Sequence, residues 1–351
     1  MKKLVIILVF FPLFLAAQKP EIKYTVGCLA FYNIENLFDT IDDPVKNDDE
    51  FLPSGSYKWS TERYNKKLDR LSEVISQLGA ELTKAAPAIV GLCEIENKSV
   101  LEDLVRTPAL MKYNYGIVHF EGPDARGVDV ALIYQKARFT LISAKPVRLT
   151  IPGKDDFYTR DQLVVTGFLD GEKISVIVNH WPSRRGGEKR SAPLRNAAAA
   201  LCRSSVDTLL AADPDAKIFI MGDFNDDPVN KSIREHLRAK GSFEEGRLTG
   251  LYNPMVQLYK QGIGTLAYRD KWNLFDMIIV SKGVFDEQDS ASYRFLKAKV
   301  FNKQFLMQSD GPYAGYPFRT FVGSTYMGGY ADHFPVYLFL IRRRKETNSP
   351  E

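Results

Sequence analysis

Six places along this chain set an acid, an amide or an imidazole against an apolar run of strand composition. FYNIEN carries Asn33 and Glu35, which strand alternation puts on one face while Ile34 points the other way. Glu94 ends the run IVGLCEI, and His180 closes KISVIVNH. Asp223 and Asn225 end IFIMGDFN, with Phe224 returning to the core between them. Asp276 opens the run FDMIIV, and Asp332 and His333 stand directly before FPVYLFL. Taken singly, each such group closes a turn or serves as a hydrogen-bonded structural residue. Glu96 and Asp226 are read in that plainer way, as solvated or capping groups. Yet two of only four histidines fall at these ends. If the ends share one rim, oxygen donors such as Glu94 and Asp332 suit Mg2+ or Mn2+. The imidazoles are then free to handle protons or anionic oxygens.

The elements that must position these groups are visible in the periodicity. VGCLAFYNI, AAPAIVGLCEI, YNYGIVHF, VDVALIYQ, QLVVTGFL, KISVIVNH, IFIMGDF, FDMIIVS and FPVYLFL read as strands with turn residues between them. RYNKKLDRLSEVISQLGAEL sets Leu68, Leu71, Val74, Ile75 and Leu78 at helical spacing. NKSVLEDLVRTPAL and LRNAAAALCRSSVDTLLAA read as further helices. Strands and helices mix without strict alternation, which predicts a single domain built as a layered sandwich of mixed sheets. A long loop of mixed charge, Asp39–Trp59, separates the first strand from the first helix.

Composition bounds the rest. With 351 residues, 45% apolar and 26% charged, the chain has room for a sizeable globular core. MKK, the run LVIILVFFPLFL and the pair AA before Gln18 form the pattern of a secretory signal peptide over residues 1–17. The run falls short of the roughly 20 apolar residues needed to span a bilayer, so export without a stable membrane anchor is expected, to the periplasm or beyond. Loss of Lys2 and Lys3 takes the 47 basic residues to 45 against 43 acids, a mature charge of +2. Bulk charge therefore gives no pull on polyanions, and any attraction must be local. The local concentration is Arg184, Arg185, Lys189, Arg190 and Arg195, directly after His180. It reads either as a solvated basic loop or as a phosphate grip made adaptable by Gly186 and Gly187. Cys28, Cys93 and Cys202 sit among apolar neighbours and read as buried small hydrophobes. The main domain is expected over 18–342, and the polar end 343–351 is expected to be disordered.

GDFN at 222–225 and DHFPV at 332–336, with FYNIEN and the Glu94 strand in the same order, resemble the endonuclease/exonuclease/phosphatase superfamily. That group includes deoxyribonuclease I, abasic-site endonucleases, inositol polyphosphate 5-phosphatases and neutral sphingomyelinases. The likeness runs from FYNIEN to YADHFPV. It implies a deoxyribonuclease I-like four-layer α/β sandwich with two central mixed β-sheets and the site at one edge. Carried over by position, Glu94, Glu35 and Asp332 become ligands for Mg2+ or Mn2+, with Asn33 beside them for substrate. His180 becomes a contact to the scissile phosphate, and Asp223 with Asn225 the general base and its companion. Asp276 becomes the acid that orients and charges His333, although that pair could itself be the base. Arg126 in RGVDVALIY, and Arg184 and Arg185 in NHWPSRRGG, fall in motifs associated with exported bacterial members and are carried over as substrate contacts. The resemblance implies metal-dependent hydrolysis of phosphodiesters by a monomer, foremost as an endonuclease on DNA or RNA. The alternative is a phosphatase or phosphodiesterase on inositol phosphates or sphingomyelin-like lipids. A binding protein that keeps the fold without turnover is the remotest reading.

Overall fold

The apolar runs pair into two six-stranded sheets. A computed structural model describes residues 23–285 and 290–344; the expected signal peptide and the residues beyond Arg344 lie outside them. The first sheet has the order β13 (Arg294–Val300), β16 (Val336–Arg343), β1 (Tyr24–Leu37), β2 (Ile89–Ile95), β4 (Asp129–Gln135) and β3 (Tyr115–His119). The second runs β5 (Phe139–Val147), β6 (Gln162–Leu169), β7 (Glu172–His180), β8 (Lys217–Asp223), β12 (Asp276–Ser281) and β9 (Leu251–Tyr252). Two hairpins stand apart, β10 (Leu266–Tyr268) with β11 (Lys271–Asn273) and β14 (Phe321–Val322) with β15 (Thr325–Tyr326). β1–β2 and β7–β8 pair in parallel, whereas β1–β16 and β8–β12 are antiparallel, so both sheets are mixed.

Leu29 to Phe31 and Ile218 to Met221 are fully buried on successive residues, the mark of strands covered on both faces. One cover is the opposite sheet, since β1 and β2 lie against β8 and β12. Gly91 permits that approach: a Cβ there would run into the Met221 side chain across the interface. The other cover is helical. Thr61–Gln77 and Lys98–Arg106 pack on the first sheet, and Glu188–Ala212 packs on the second, where Gln162 Nε2 donates to Ala198 O at 2.8 Å. The layers are thus helix, sheet, sheet, helix. Helix Thr61–Gln77 buries Leu68, Leu71, Val74 and Ile75 as its spacing requires, and Ser60 caps its start by accepting from Arg63 N. All three cysteines are free and buried.

Three differences from the sequence reading have local causes. Strands β5 and β13 escaped notice because they are edge strands with broken alternation; β5 leaves Leu141 and Ile142 exposed and contains Pro146. The helix expected from Leu194 begins at Glu188, so Lys189 and Arg190 are helical rather than part of a loop. The last strand extends to Arg343, and Arg344 N donates to Lys23 O at 2.8 Å, so the polar tail starts later than 343.

Candidate active site

Register brings the site together. His180 on β7 pairs with Asp223 on β8, and Asp223 pairs on its other side with Asp276 on β12. Two carboxylates and an imidazole therefore stand in one row across the end of the second sheet. From the first sheet, Asn33 Nδ2 donates to Asp223 Oδ2 at 3.1 Å, joining the two sheets at this edge. Gly222 of the GDFN segment has no room for a side chain, because a Cβ would strike Asn179 O on β7. Phe224 does return to the core, edge-on to Trp181 at 4.7 Å between ring centres. Asn225 N donates to Asp223 Oδ1 at 2.9 Å, and Asn225 Nδ2 donates to Trp181 O at 3.0 Å.

Glu35, Glu94 and Asn225 all have left-handed backbones, with φ of 50°, 67° and 50°. For residues other than glycine this costs about 1–3 kcal/mol each and is held only by surrounding contacts. β1 and β2 lose register at the first two of these points. The expected common face of Asn33 and Glu35 is lost as a result, since strand alternation stops at the bulge. Asn33 faces Asp223, whereas the Glu35 carboxylate accepts from Thr320 N at 2.7 Å and Phe321 N at 3.4 Å.

The surroundings push the two imidazoles in opposite directions. His333 Nδ1 lies 2.7 Å from Asp276 Oδ2. Burial alone would discharge this ring, but the carboxylates of Asp276, Asp332 and Asp223 outweigh it and hold His333 well above the ordinary imidazole value. His180 is pushed well below that value by burial, with Arg160 and Arg126 adding to the effect. Its Nε2 is 3.7 Å from Asp223 Oδ2 and 3.9 Å from Glu94 Oε1. Burial raises Asp223 to about 7, with the charge of His333 opposing. Pairs of groups pushed apart in this way mark acid and base roles.

The acids fit a hard divalent cation. Burial raises Glu94, and the Asp332 carboxylate raises it further. Glu35 is raised to about 7 by the same two causes, in that order. Carboxylates crowded in a low-dielectric site are short of positive charge, and an oxygen-ligated ion supplies it. Glu94 and Asp332 have the accessible side chains, 14% and 30% exposed. Glu94 Oε2 accepts from Asn36 N at 3.0 Å. Glu35 is engaged by the β14–β15 hairpin and by Lys67 Nζ at 3.9 Å, and Asp332 has Arg319 Nη2 at 3.6 Å, but Glu94 and Asp332 keep the more accessible oxygens.

Among the expected substrate contacts, Arg126 is exposed and its charge acts on both Glu94 and His180. Arg185 is exposed as well. Arg184 is not a free grip. Its Nε donates to Asn225 O at 2.9 Å, its Nη2 donates to Asp226 at 3.1 Å, and its guanidinium lies 4.5 Å over the Phe275 ring. Asp226 is no solvated acid either: it is buried and also holds the fully buried Arg195 at 2.8 Å. Glu96 is buried too, and its carboxylate accepts from Asp39 N in the loop after β1 at 2.6 Å. Two cations were missed. Arg160 is buried, donates to Asp124 and Trp181 O, and acts on Glu94 and His180; Lys67 is buried under Glu35. Neither carries a local sequence signal, since each looks like an ordinary surface cation.

The sequence over residues 28–342 matches the model of the Endonuclease/Exonuclease/phosphatase family. The chain belongs to this family. As a member it is a hydrolase acting on phosphate esters, in a family that generally depends on divalent metal. A humanized D. rerio TDP2 carrying 14 mutations shares 13% identity at a TM-score of 0.54, over 90% of this chain and 98% of that one. An endonuclease/exonuclease/phosphatase family protein from Bacteroides thetaiotaomicron shares 16% identity at a TM-score of 0.54, over 94% of this chain and 100% of that one. The mannosyl-6-phosphatase Bt3783 of Bacteroides thetaiotaomicron VPI-5482 shares 17% identity at a TM-score of 0.53, over 90% and 99% of the two chains. These likenesses establish the four-layer family fold. Among curated proteins no sequence matches significantly. No helix among the described residues is long and apolar enough to cross a membrane.

Proposed function

We propose that the chain is an exported, Mg2+- or Mn2+-dependent nuclease that hydrolyses phosphodiester bonds in DNA or RNA. The observation that carries the substrate is the β10–β11 hairpin beside the His333–Asp276 pair. Phe334 N donates to Thr265 O at 2.7 Å, and Asp276 N donates to Thr265 Oγ1 at 3.4 Å, so the hairpin rises from the site itself. Its tip exposes Tyr268 by 64%, with the Arg269 guanidinium 5.2 Å over that ring and exposed Lys271 nearby. An exposed ring flanked by cations is what unpaired bases and their phosphates stack on and pair with.

Asp223 takes the proton of the attacking water, a task suited to a carboxylate poised at about 7. Asn33 and Asn225 N fix its two oxygens, so its free lone pairs have one direction. The charged His333 offsets the negative charge that builds on the phosphate, and neutral His180 donates a hydrogen bond to a phosphate oxygen. Arg126 and Arg160 add fixed positive charge on the same side. A divalent ion held by Glu94 and Asp332 would supply further charge neutralisation when bound.

One observation favours the second reading, a phosphatase or phosphodiesterase for compact substrates such as inositol phosphates or sphingomyelin-like lipids. Arg184 and Arg195, two cations of the expected grip, are used inside the protein. A similar structure being a mannosyl-6-phosphatase also fits that reading. Incubation of the purified chain with metal and single-stranded DNA, duplex DNA, RNA, inositol phosphates, sugar phosphates and sphingomyelin separates the two. Cleavage of unpaired nucleic acid at the highest kcat/KM is expected. Turnover of a compact phosphate alone puts the second reading in its place. Export is supported by the N-terminal pattern, and amino-terminal sequencing of the exported protein should begin at Gln18.

A further inference from the structure

We propose that His119, Glu121 and Asp129 form a second metal site, separate from the carboxylates around Glu94, for a first-row divalent transition ion such as Zn2+. His119 ends β3 and pairs with Ala131 of β4, so Asp129 is its diagonal neighbour at the opening of β4. Glu121 lies in the connection between the two strands. One imidazole nitrogen and one oxygen from each carboxylate lie within 4.8 Å of one another.

The decisive feature is that His119 Nε2 and Asp129 Oδ2 are buried and without a hydrogen-bond partner. Their side chains are only 2% and 3% exposed, and the two atoms stand 3.3 Å apart without the alignment of a hydrogen bond. Buried polar atoms in native structures are satisfied by something. A separation of about 3.3 Å is the edge of a tetrahedron whose corners lie about 2.0–2.1 Å from its centre, the usual Zn–N and Zn–O length. Glu121 places a carboxylate oxygen within 4.8 Å of the other two ligand atoms on a side chain 60% exposed, and offers both a third ligand and an entry path. The neighbouring Lys46 does not fill the site, because its ammonium donates to the carbonyls of Gly122 and Asp124. Gly122 lets the connection close down on Asp129, since a Cβ there would strike Asp129 Oδ1. One nitrogen with two oxygens suits a borderline ion better than Mg2+. The ion would tie the connection carrying Asp124 and Arg126 to the sheet.

The test is equilibrium dialysis of the chelator-stripped full chain against Zn2+, in a Glu94→Gln background that weakens the first site. One equivalent of Zn2+ should remain bound. Adding His119→Gln or Glu121→Gln should weaken it by about tenfold or more, since loss of even an outer partner costs that much. Glu121→Gln changes an exposed side chain, so it reads the site even where His119→Gln disturbs folding. Cobalt in place of zinc should give a visible spectrum that is lost in the same variants. Absence of bound Zn2+ in the Glu94→Gln protein overturns the proposal, as does equal affinity with and without Glu121→Gln. Binding is measured without substrate, so the result is independent of which ester the enzyme cleaves.

Discussion

His333 Nδ1 and Asp276 Oδ2 are 2.7 Å apart, with Asp276 wholly buried. The pair joins the segment before the last strand to the start of β12, and with Asp332 and Asp223 it raises His333 where burial would otherwise lower it. Asp276→Asn removes the largest of the carboxylate effects and leaves only Asp332 and Asp223 to oppose burial. The charged ring then survives only to lower pH, so the alkaline fall of kcat/KM should move downward relative to wild type. The sign is the same for stability: a raised imidazole pKa stabilises below the ordinary 6.5 and the benefit is lost as pH rises through the folded value. An unmoved alkaline limb in the folded variant would contradict this role.

Asp223→Asn and His333→Ala should each lower kcat by about a hundredfold or more, the usual scale for acid–base and electrostatic groups. Both act on one transition state, so the double variant should fall short of the product of the single losses. The remaining activity of wild type should rise with pH through about 7 as Asp223 deprotonates, a limb absent from Asp223→Asn. Steady-state rates across pH decide the matter. Near-normal turnover in Asp223→Asn would make the GDFN segment a mere strand end.

The site was legible where residue type and strand ends coincide. Asp223, Asp276, His180 and His333 stood out because buried-strand composition and titratable groups rarely adjoin, and the register does bring the first three into one row. The two central sheets were legible for the same reason, as apolar runs of strand length. Backbone conformation was not. Nothing in Glu35 or Glu94 announces a left-handed residue, and that one departure redirects Glu35 from Asn33's face to Thr320. Buried cations were also hidden, since Lys67 and Arg160 differ from surface residues only through partners distant in sequence. Arg184 was placed with the substrate because it stands in the basic run directly after His180, and its partner Asp226 is distant in sequence.

That correction yields a contrast within the basic segment. Arg184→Ala removes the brace on Asn225 and Asp226 and should lower turnover of every substrate alike, together with thermal stability. Replacing the exposed Arg185, Lys189 and Arg190 by Ala should leave stability unchanged. If the enzyme grips flanking phosphates, that triple variant should bind long DNA more weakly and with a flatter salt dependence, while hydrolysis of a small phosphodiester is spared. Unchanged salt dependence would remove the exposed cations from the substrate path.

Lys67 sits under Glu35 with its side chain 1% exposed, bonded to Thr320 Oγ1 and Tyr330 O. Lys67→Ala strands the Glu35 carboxylate and both oxygens, and should cost about 3–5 kcal/mol in urea unfolding. A loss below about 1 kcal/mol would show that the hairpin closes without it.

The most direct test is a metal titration. Initial rates on a single-stranded oligonucleotide are measured after chelation and on stepwise return of Mg2+ or Mn2+, for wild type and Glu94→Gln. Hydrolysis should be absent in chelator and restored by either ion, with Glu94→Gln needing about tenfold more metal because a ligand charge is gone. Full turnover in excess chelator, or superimposable titration curves for the two proteins, would contradict the account.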